Sequence, residues 1–379
     1  MQTLTARRLL TPIGSVEYPV ITVGDDGLIA EIESDPTLPH ANDTLTAAFL
    51  DVHTHGGMSH DVMTSSPNDF LEFNHFLATR GVGQYLATTV TAPIDATLRG
   101  LEAIANEIER AHQAVATPIG VHLEGPFISH AKRGVHPEGD ILPPSIELFD
   151  RFQAAARGHI RLITIAPEIP GALDLIAHCK ALGVRVSLGH TNATSPETQA
   201  GIDAGASSAT HTYNAMRALD HRAPGVLGTV LDSSSLFAEL ICDGIHVAPE
   251  LVRLWLKAKG PELAILVTDS MSAAGMPDGA YTLGTFDVAV AEGKALLKSD
   301  LDRGKETLAG SILTMDKAVA NVQAMTGASL GIAVNLASAN PARMLGLEPA
   351  IRPGTVGNFN RFAASGRLEQ TILRGKAVN

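Results

Sequence analysis

The sequence predicts an α/β fold: a TIM (β/α)8 barrel with a small β-sandwich domain formed from both termini. From about residue 47 onward, apolar β-type segments alternate with longer helical segments, a pattern typical of a parallel sheet with helical crossovers. Eight such apolar segments occur, enough to close a barrel. Strand-like segments also stand at both chain ends. The predicted domains are therefore 1–47 plus 348–379 for the small domain and 48–347 for the barrel.

The individual elements follow from local patterns. At the N-terminus, VEYPVITV and LIAEIES flank the turn GDDG and predict short strands. The barrel strands are predicted at AAFLDV, QYLATTVT, PIGVHLE, RLITIAP, VRVSLG, ASSATH, FAELIC and LAILVTD. Helices are predicted at Asn68–Arg80, Asp95–Val115, Ser145–Arg157, Pro170–Leu182, Ser195–Ala204, Pro249–Lys259 and Ser311–Met325. A doubly wound open sheet is the alternative, but no GxGxxG turn follows any strand.

Two further segments complete the predicted topology. Between Asp278 and Ser299 the sequence alternates with period two around turn residues, which predicts a hairpin inserted after the eighth strand. Near the C-terminus, QTILRGKAV is again typical of a strand. We expect this strand to rejoin the N-terminal strands, so that both chain ends build one domain.

Composition and charge exclude several classes of function. The formal net charge is −12 and the pI is about 5.6, which disfavours nucleic acid as a partner because phosphate binding needs clustered Lys and Arg. No apolar run is long enough for a membrane span, and the N-terminus lacks the apolar core of an export signal. Cys179 and Cys242 both lie in apolar segments, which predicts reduced thiols and a cytoplasmic protein.

Polar side chains follow five of the predicted barrel strands at their carboxyl ends. They are His53 and His55 after the first strand, Glu124 after the third, His190 after the fifth, His211 after the sixth and Asp269 after the eighth. In a TIM barrel these strand ends share one rim, where catalytic groups lie. Imidazoles combined with carboxylates are the ligand types of a catalytic divalent metal. Zinc suits this nitrogen-rich set, with iron, manganese and cobalt as alternatives.

Each of these residues also has a structural interpretation when taken alone. The His-x-His pair could occupy a turn, Glu124 and Asp269 could cap turns or helices, and the other histidines could lie in the core. The set as a whole favours a metal site. His122, two residues before Glu124, is assigned to the core or to a supporting layer, and His75, His112 and His178 are assigned to helix surfaces.

Several motifs of the chain resemble those of a known family. HTHGG, HLEGPF, GHTNAT, THTYNAM, CDGIHV, VTDSMSAAG, LAGS and NPARMLGL are similar to the motif set of the N-acetylglucosamine-6-phosphate deacetylase family of the amidohydrolase superfamily. They extend from about residue 49 to residue 347. HLEGPF, THTYNAM and VTDSMSAAG are specific to this family, whereas HTHGG is shared across the superfamily. The resemblance implies a metal-dependent barrel flanked by a β-sandwich.

The resemblance also implies separate roles for the residues on the rim. Glu124, His190 and His211 are expected to hold a metal that polarises the acetyl carbonyl and activates water. His53 and His55 could complete a second site with Glu124 as the bridging ligand, so one or two ions per subunit are expected. Asp269, a metal ligand in this scheme, would also take a proton from the water and return it to the leaving amine.

A substrate pocket is expected beside the metal. Asn214 and Ala215 open the segment after the sixth strand, where backbone N–H groups can face a phosphate, and Arg222 adds a charge. The resemblance adds His136 as a contact to the sugar or acyl oxygen, and extends the full substrate-binding set to Val135, His136, Asn214, Ala215, Arg222, Asp243, His246, Leu308, Ala309 and Gly310. In this family, residues of the kind of Arg222 and His246 reach a neighbouring subunit, which implies a homodimer.

The function implied is hydrolysis of N-acetylglucosamine 6-phosphate to glucosamine 6-phosphate and acetate, in amino-sugar catabolism and cell-wall sugar recycling. One alternative is another amidohydrolase that acts on a cyclic amide, such as a dihydroorotase-like enzyme; such enzymes usually bridge two metals with a carboxylated lysine, where this chain has Glu124. The second alternative is a non-catalytic sugar-phosphate sensor, which would have no need of the proton transfer assigned to Asp269.

Overall fold

Six short strands form the N-terminal part of the chain. The computed structural model describes residues 1–110 and 114–378. The strands are β1 (Gln2–Thr5), β2 (Arg8–Thr11), β3 (Gly14–Glu17), β4 (Pro19–Val23), β5 (Ile29–Ser34) and β6 (Asp43–Ala47). β1, β4 and β5 form one antiparallel sheet, and β3, β2 and β6 belong to a second. The buried side chains of Leu9, Ile21 and Leu45 belong to one small core that joins the two sheets.

Eight parallel strands form the barrel. They are β7 (Phe49–Thr54) and, after the two-stranded ribbon β8 (Gly56–Gly57) and β9 (His60–Asp61), β10 (Val82–Thr89), β11 (Thr117–Glu124), β12 (Ile160–Ile165), β13 (Arg185–Leu188), β14 (Ser208–Ala209), β15 (Phe237–Ile241) and β16 (Ala264–Val267). The last strand returns beside the first, where the Asp269 N–H donates to the His53 carbonyl at 2.8 Å. The predicted TIM barrel is confirmed.

Helices cross between the barrel strands. They are α1 (Pro67–Thr79), α2 (Ile94–Ile108), α3 (Ile146–Ala155), α4 (Ala172–Ala181), α5 (Ser195–Ala204), α6 (Gly225–Asp232) and α7 (Pro249–Leu263), the last interrupted at Gly260. The predicted extension of α2 to Val115 is wrong. Ala114 has a left-handed φ of 56°, which a continuous helix cannot contain. His112 of that predicted helix lies outside the described residues.

A small antiparallel sheet follows the last barrel strand. It contains β17 (Gly279–Leu283), β18 (Phe286–Ala291) and β19 (Lys294–Leu297). The sequence predicted a two-stranded hairpin here, but Lys294–Leu297 adds a third strand by pairing with β18 across a turn at Gly293. Val288 and Val290 pack this sheet against Met271 and Ala309, beside the mouth of the barrel.

The remaining elements lead back to the N-terminal strands. They are α8 (Lys298–Leu301), α9 (Met315–Thr326), α10 (Leu330–Leu336), α11 (Ala339–Met344), β20 (Phe359–Ala363), β21 (Leu368–Leu373) and β22 (Lys376–Ala377). β20 pairs with β6, so the C-terminal strands extend the sheet that begins at the N-terminus, as predicted. The domain boundaries at 47/48 and 347/348 stay a prediction. In the part of the chain that is described, no helix has the length and apolar character to cross a membrane.

Candidate metal centre

Six polar side chains meet at the mouth formed by the carboxyl ends of the barrel strands. They are His53 and His55 at the end of β7, Glu124 at the end of β11, His190 after β13, His211 after β14 and Asp269 after β16. All six are buried, and none is more than 8% exposed. The structure therefore brings together every residue for which the sequence predicted a place on this rim.

One group of ligand atoms belongs to Glu124, His190 and His211. Glu124 Oε1 lies 3.2 Å from Nε2 of His190 and 3.2 Å from Nε2 of His211, and these two nitrogens are 3.1 Å apart. Ligand atoms around a tetrahedral zinc are about 3.4 Å from one another. The three atoms therefore have the mutual spacing of ligands to one ion.

The second group belongs to His53, His55 and Asp269. Asp269 Oδ1 lies 3.1 Å from Nε2 of His55 and 3.5 Å from Nε2 of His53. Glu124 also faces this group, with Oε2 at 3.3 Å from His55 Nε2 and Oε1 at 3.5 Å from His53 Nε2. Glu124 thus faces both groups of ligand atoms.

Two backbone carbonyls fix the tautomers of His190 and His55, and thereby which ring nitrogen of each has a lone pair. His190 Nδ1 lies 3.0 Å from the Lys132 carbonyl, and His55 Nδ1 lies 3.0 Å from the Thr88 carbonyl. A carbonyl oxygen only accepts, so each Nδ1 carries the proton. In the neutral rings the Nε2 lone pairs then face Glu124, which is also electron-rich. This is the arrangement of histidines held ready for a metal by their outer partners.

The centre is short of positive charge. His53 Nε2, although buried, has no hydrogen-bonding partner among the described residues. Two carboxylates and several lone pairs face the same small volume, and such a cluster is unfavourable unless a cation or protons lie within it. The donor set of imidazole nitrogens and carboxylate oxygens therefore fits a divalent metal.

The pKa values of His55 and Glu124 are shifted in the directions expected for a centre that lacks positive charge. Burial works against a charged His55, but its hydrogen bonds to Asp269 and Glu124 prevail and raise its pKa to about 9. Burial likewise opposes ionisation of Glu124, yet the charge of His53 and hydrogen bonds from His190 and other rings hold its pKa well below the usual range. Without a metal, protons on the imidazoles supply the missing positive charge.

Three of the six residues have a strained backbone. His190, His211 and Asp269 have φ values of 46°, 27° and 49°, in the left-handed region that residues with a Cβ rarely adopt. At Asp269 the conformation is held by two hydrogen bonds of 2.8 Å, from its N–H to the His53 carbonyl and from the Ser311 N–H to its own carbonyl. Strain that the surrounding structure maintains in this way is typical of functional sites.

Sequence reasoning did not assign Glu239 to the site. This residue of β15 is completely buried, and its Oε2 lies 3.3 Å from His53 Nδ1 and 3.3 Å from the backbone nitrogen of His211. A charged residue within the otherwise apolar segment FAELIC was the available signal, because isolated charges rarely occupy a barrel core.

Two other buried polar residues support the rim from below. Asp51 accepts a 2.6 Å hydrogen bond from the Thr268 hydroxyl and one of 3.2 Å from the His53 N–H. Burial raises its pKa to about 6, although these hydrogen bonds oppose the rise. His122, which the sequence assigned to the core or a supporting layer, lies 2.8 Å from the Thr164 hydroxyl and packs edge-on against the His53 ring.

A pocket of about 160 Å3 opens onto these histidines and carboxylates. The predicted substrate-binding residues that line it are Val135, His136, Asn214, Ala215, His246, Leu308 and Gly310. Val90 and Leu283 line it as well, and sequence reasoning had not singled them out. Leu283 comes from the inserted sheet, which therefore contributes an apolar side chain to the pocket wall.

Three predicted substrate-binding residues lie elsewhere. Ala309 is buried against Met271, beneath the pocket wall. Asp243 Oδ2 lies 2.6 Å from His246 Nδ1, so it orients that imidazole. Arg222 is exposed in the loop before α6 and does not line the pocket of its own chain.

The segment after β14 was predicted to meet a phosphate with its backbone N–H groups, and one of these groups is used within the segment itself. The N–H of Asn214 donates to the His211 carbonyl at 3.0 Å and is used within the turn. The side-chain amide of Asn214 also donates to this carbonyl, at 3.3 Å, and its second hydrogen can still be donated to a ligand. The side-chain amide of Asn214 thus keeps a donor for a ligand, and the contact of the backbone N–H groups of this segment with a phosphate stays a prediction.

His136 presents a hydrogen-bond donor to the pocket. Its Nδ1 accepts from the Thr91 N–H at 3.3 Å, and a backbone N–H can only donate. The proton of the neutral ring therefore sits on Nε2, which lies 3.7 Å from Glu124 Oε2. Burial and the neighbouring His190 hold the pKa of His136 well below its usual value, so the ring is neutral.

Comparisons with known proteins agree with this geometry. The model of the amidohydrolase family matches residues 44–378. N-acetylgalactosamine-6-phosphate deacetylase of Escherichia coli is 37% identical over 99% of both chains, and N-acetylglucosamine-6-phosphate deacetylase of Bacillus subtilis is 37% identical over 88% of this chain and 85% of its own.

Solved structures give the same result. A variant of N-acetyl-D-glucosamine-6-phosphate deacetylase from Mycobacterium smegmatis, in complex with N-acetyl-D-glucosamine-6-phosphate, superposes with a TM-score of 0.92 at 31% identity, covering 100% of this chain and 99% of the other. The corresponding enzyme from Thermotoga maritima gives 0.90 at 32% identity with the same coverage. The chain thus belongs to the amidohydrolase family and, within it, to the N-acetylglucosamine-6-phosphate deacetylase group.

Proposed function

We propose that this chain hydrolyses N-acetylglucosamine 6-phosphate to glucosamine 6-phosphate and acetate, in amino-sugar catabolism and cell-wall sugar recycling. The observation that carries the proposal is the pair of ligand groups around Glu124 at the bottom of a pocket of suitable chemistry. Relatives named as deacetylases of this substrate match most of the chain, which supports the same reaction.

The metal is assigned to the residues that surround Glu124. Glu124, His190 and His211 would hold one ion, and His53, His55 and Asp269 would hold a second. When bound, the metal supplies Lewis acidity to the acyl oxygen and lowers the pKa of a water molecule. We propose zinc because nitrogen donors predominate, with iron, manganese and cobalt as the alternatives that metal analysis would distinguish.

Asp269 is proposed as the group that moves the proton. Its pKa is held below the usual range: burial opposes ionisation, but the charges of His53 and His55 and a hydrogen bond from His55 prevail. It is therefore ionised and can accept a proton as water attacks the acyl carbon. The proton then passes to the amine nitrogen as the C–N bond breaks, because an amine leaves poorly without protonation.

The remaining pocket residues would bind the sugar phosphate. The Nε2–H of His136 can donate to the acyl oxygen or to a sugar hydroxyl. Asn214, Ala215 and His246 line one part of the pocket and would meet the phosphate, while Leu308 and Gly310 would lie along the sugar. Val135 supplies an apolar contact.

We propose a homodimer in which Arg222 reaches the partner's pocket. Arg222 is exposed and does not line its own pocket. Leu219, Leu251 and Leu254 of the same loop and of α7 are 55%, 40% and 47% exposed, which gives this side of the molecule an apolar character that suits an interface.

Mixing inactive subunits tests this arrangement. If R222A and D269N subunits exchange, half of the dimers are hybrids with one complete site each, and activity should recover to about a quarter of the wild-type value. No recovery, with exchange shown by differently tagged subunits, would contradict the shared site.

A cytoplasmic location and the domain division also belong to the proposal. Cys179 and Cys242 are buried free thiols, which suits a reducing compartment. The antiparallel pairing of β6 with β20 supports a small domain made from residues 1–47 and 348–379.

The 4-epimer of the substrate is a second candidate. The relative from Escherichia coli that matches 99% of this chain is named as a deacetylase of N-acetylgalactosamine 6-phosphate. The two sugars differ only in the configuration at one hydroxyl, so the same centre could cleave either amide.

The test measures acetate release from both epimers and ring opening of dihydroorotate, before and after removal of the metal with a chelator. The proposal expects chelator-sensitive release from the glucosamine derivative, with a larger kcat/KM than for its epimer. Release only from the galactosamine derivative would change the substrate, and hydrolysis only of dihydroorotate would assign the chain to the cyclic amidohydrolases. Tight binding of the sugar phosphate without turnover would indicate a sensor.

A further inference from the structure

Glu239 has no role in the reaction described above, yet it is in contact with both ligand groups. It lies on β15, is 0% exposed, and contacts His53 and His211 from within the barrel. Its Oε1 has no hydrogen-bonding partner within the described part of the chain. A buried carboxylate with an unpaired oxygen is costly, so its presence calls for a specific explanation.

The contacts of Glu239 converge on two metal-ligand candidates. Its Oε2 accepts from Nδ1 of His53 at 3.3 Å and from the backbone N–H of His211 at 3.3 Å. Its own carbonyl accepts from the Thr212 N–H at 2.8 Å. Glu239 therefore holds one ligand by its ring and the other by its backbone.

Both contacts have a consequence for the ligands. With the His53 proton placed on Nδ1 towards Glu239, the lone pair of Nε2 points at Asp269 and Glu124. At His211 the contact supports a backbone with φ of 27°, a conformation that needs external support. The negative charge of Glu239 also favours a cation beside the His53 ring.

We propose that Glu239 is the positioning residue of the metal centre: it sets the tautomer of His53 and the strained backbone of His211, and thereby couples the two ligand groups. This inference rests on the proposed metal site. It assigns Glu239 no contact with substrate, so its effect should appear first in metal retention.

Two substitutions separate charge from shape. Glu239→Gln keeps an oxygen that accepts from His53 and His211 but removes the charge, whereas Glu239→Leu removes both. Glu107→Gln is the matched control, since Glu107 is another buried glutamate, bonded to Asn74 away from the site. The measurements are metal per subunit, the rate of metal release to a chelator, and thermal unfolding with and without metal.

We expect Glu239→Gln to release metal about tenfold faster than wild type, and Glu239→Leu to bind about one ion fewer or about 100-fold more weakly. The stabilisation that metal gives the wild type should shrink in both, while metal-free Glu239→Gln unfolds no earlier than metal-free wild type. Glu107→Gln should match the wild type in metal release.

Equal metal content and release in wild type and both Glu239 variants would overturn the proposal. So would a lower unfolding temperature of metal-free Glu239→Gln with unchanged metal release, since that is the result of a purely structural role. A wild type that retains no divalent metal would instead refute the metal site itself, which separates the two failures.

Discussion

The barrel contains two buried clusters of polar groups that are built on opposite rules. Between α1, α2 and β10, the Tyr85 hydroxyl donates to Asn74 Oδ1 at 2.7 Å, and Asn74 Nδ2 donates to Glu107 Oε1 at 2.9 Å. Each contact there joins a donor to an acceptor. At the mouth, the Nε2 atoms of His190 and His211 face each other at 3.1 Å and both face the acceptor Glu124.

This difference distinguishes a cluster that only stabilises the fold from one that can bind a metal. The cluster around Asn74 is complete with protein atoms, so it has a sufficient explanation in stability. The mouth cluster is incomplete, because imidazole nitrogens and two carboxylates face one another there and become favourable contacts only when protons or a cation lie among them. Burial alone would not have distinguished the two, since the residues of both clusters are buried.

The largest expected effect concerns catalysis at the mouth. Asp269→Asn keeps a ligand oxygen but cannot accept a proton at neutral pH, so kcat should fall about 1,000-fold while most of the metal is retained. Steady-state kinetics and metal analysis of the same preparation check this. Near-normal deacetylation by this variant would remove Asp269 from the reaction.

The next effect concerns the second ligand group. His53→Ala should lower the affinity for one ion by about 100-fold or more, because a nitrogen ligand is lost, while the ion at Glu124, His190 and His211 remains. Metal per subunit, compared with wild type and with the helix-surface control His178→Ala, measures it. Metal content and affinity equal to those of wild type would show that His53 does not hold an ion.

The pH dependence of stability should differ with and without metal. In the metal-free protein the His55 pKa is about 9, above its value of 6.5 when unfolded, so its protonation stabilises the fold fully below pH 6.5. That contribution, on the order of 3 kcal/mol, is lost as the pH rises through 9. Urea unfolding at several pH values should show this loss, and bound metal should suppress it. An equal pH dependence in both forms would contradict the shared role of proton and metal.

The smallest effect is expected at the cluster around Asn74. Asn74→Ala leaves the Tyr85 hydroxyl and Glu107 without this partner and should cost about 1–2 kcal/mol of unfolding free energy. Metal content and kcat should stay at wild-type values. If this variant loses metal, the two clusters are coupled and the distinction between them fails.

The sequence was most informative where periodicity and position coincide. The eight barrel strands are nearly continuous apolar segments because helices cover the sheet, and each rim residue stands directly after one of them. The His-x-His pair, Glu124 and Asp269 could therefore be placed on one rim by counting strand ends. Topology alone then brought these residues together.

Other features depend on tertiary contacts and were missed. The sequence of α6, GVLGTVLD, contains two glycines and three β-branched residues, so its helix forms only because Val226 and Val230 are buried in the core. The third strand of the inserted sheet needs β18 as a partner. The sequence analysis gave no role to Glu239 or Asp51, because only the fold places His53 beside both.

We infer that the mouth cluster lacks only a cation to become a deacetylase centre. The decisive experiment titrates metal-free protein with Zn2+ while acetate release from N-acetylglucosamine 6-phosphate is recorded. We expect no turnover without metal and a rate that rises with bound zinc until the stoichiometry of one or two ions per subunit is reached. Full activity in protein shown to contain no metal would contradict it.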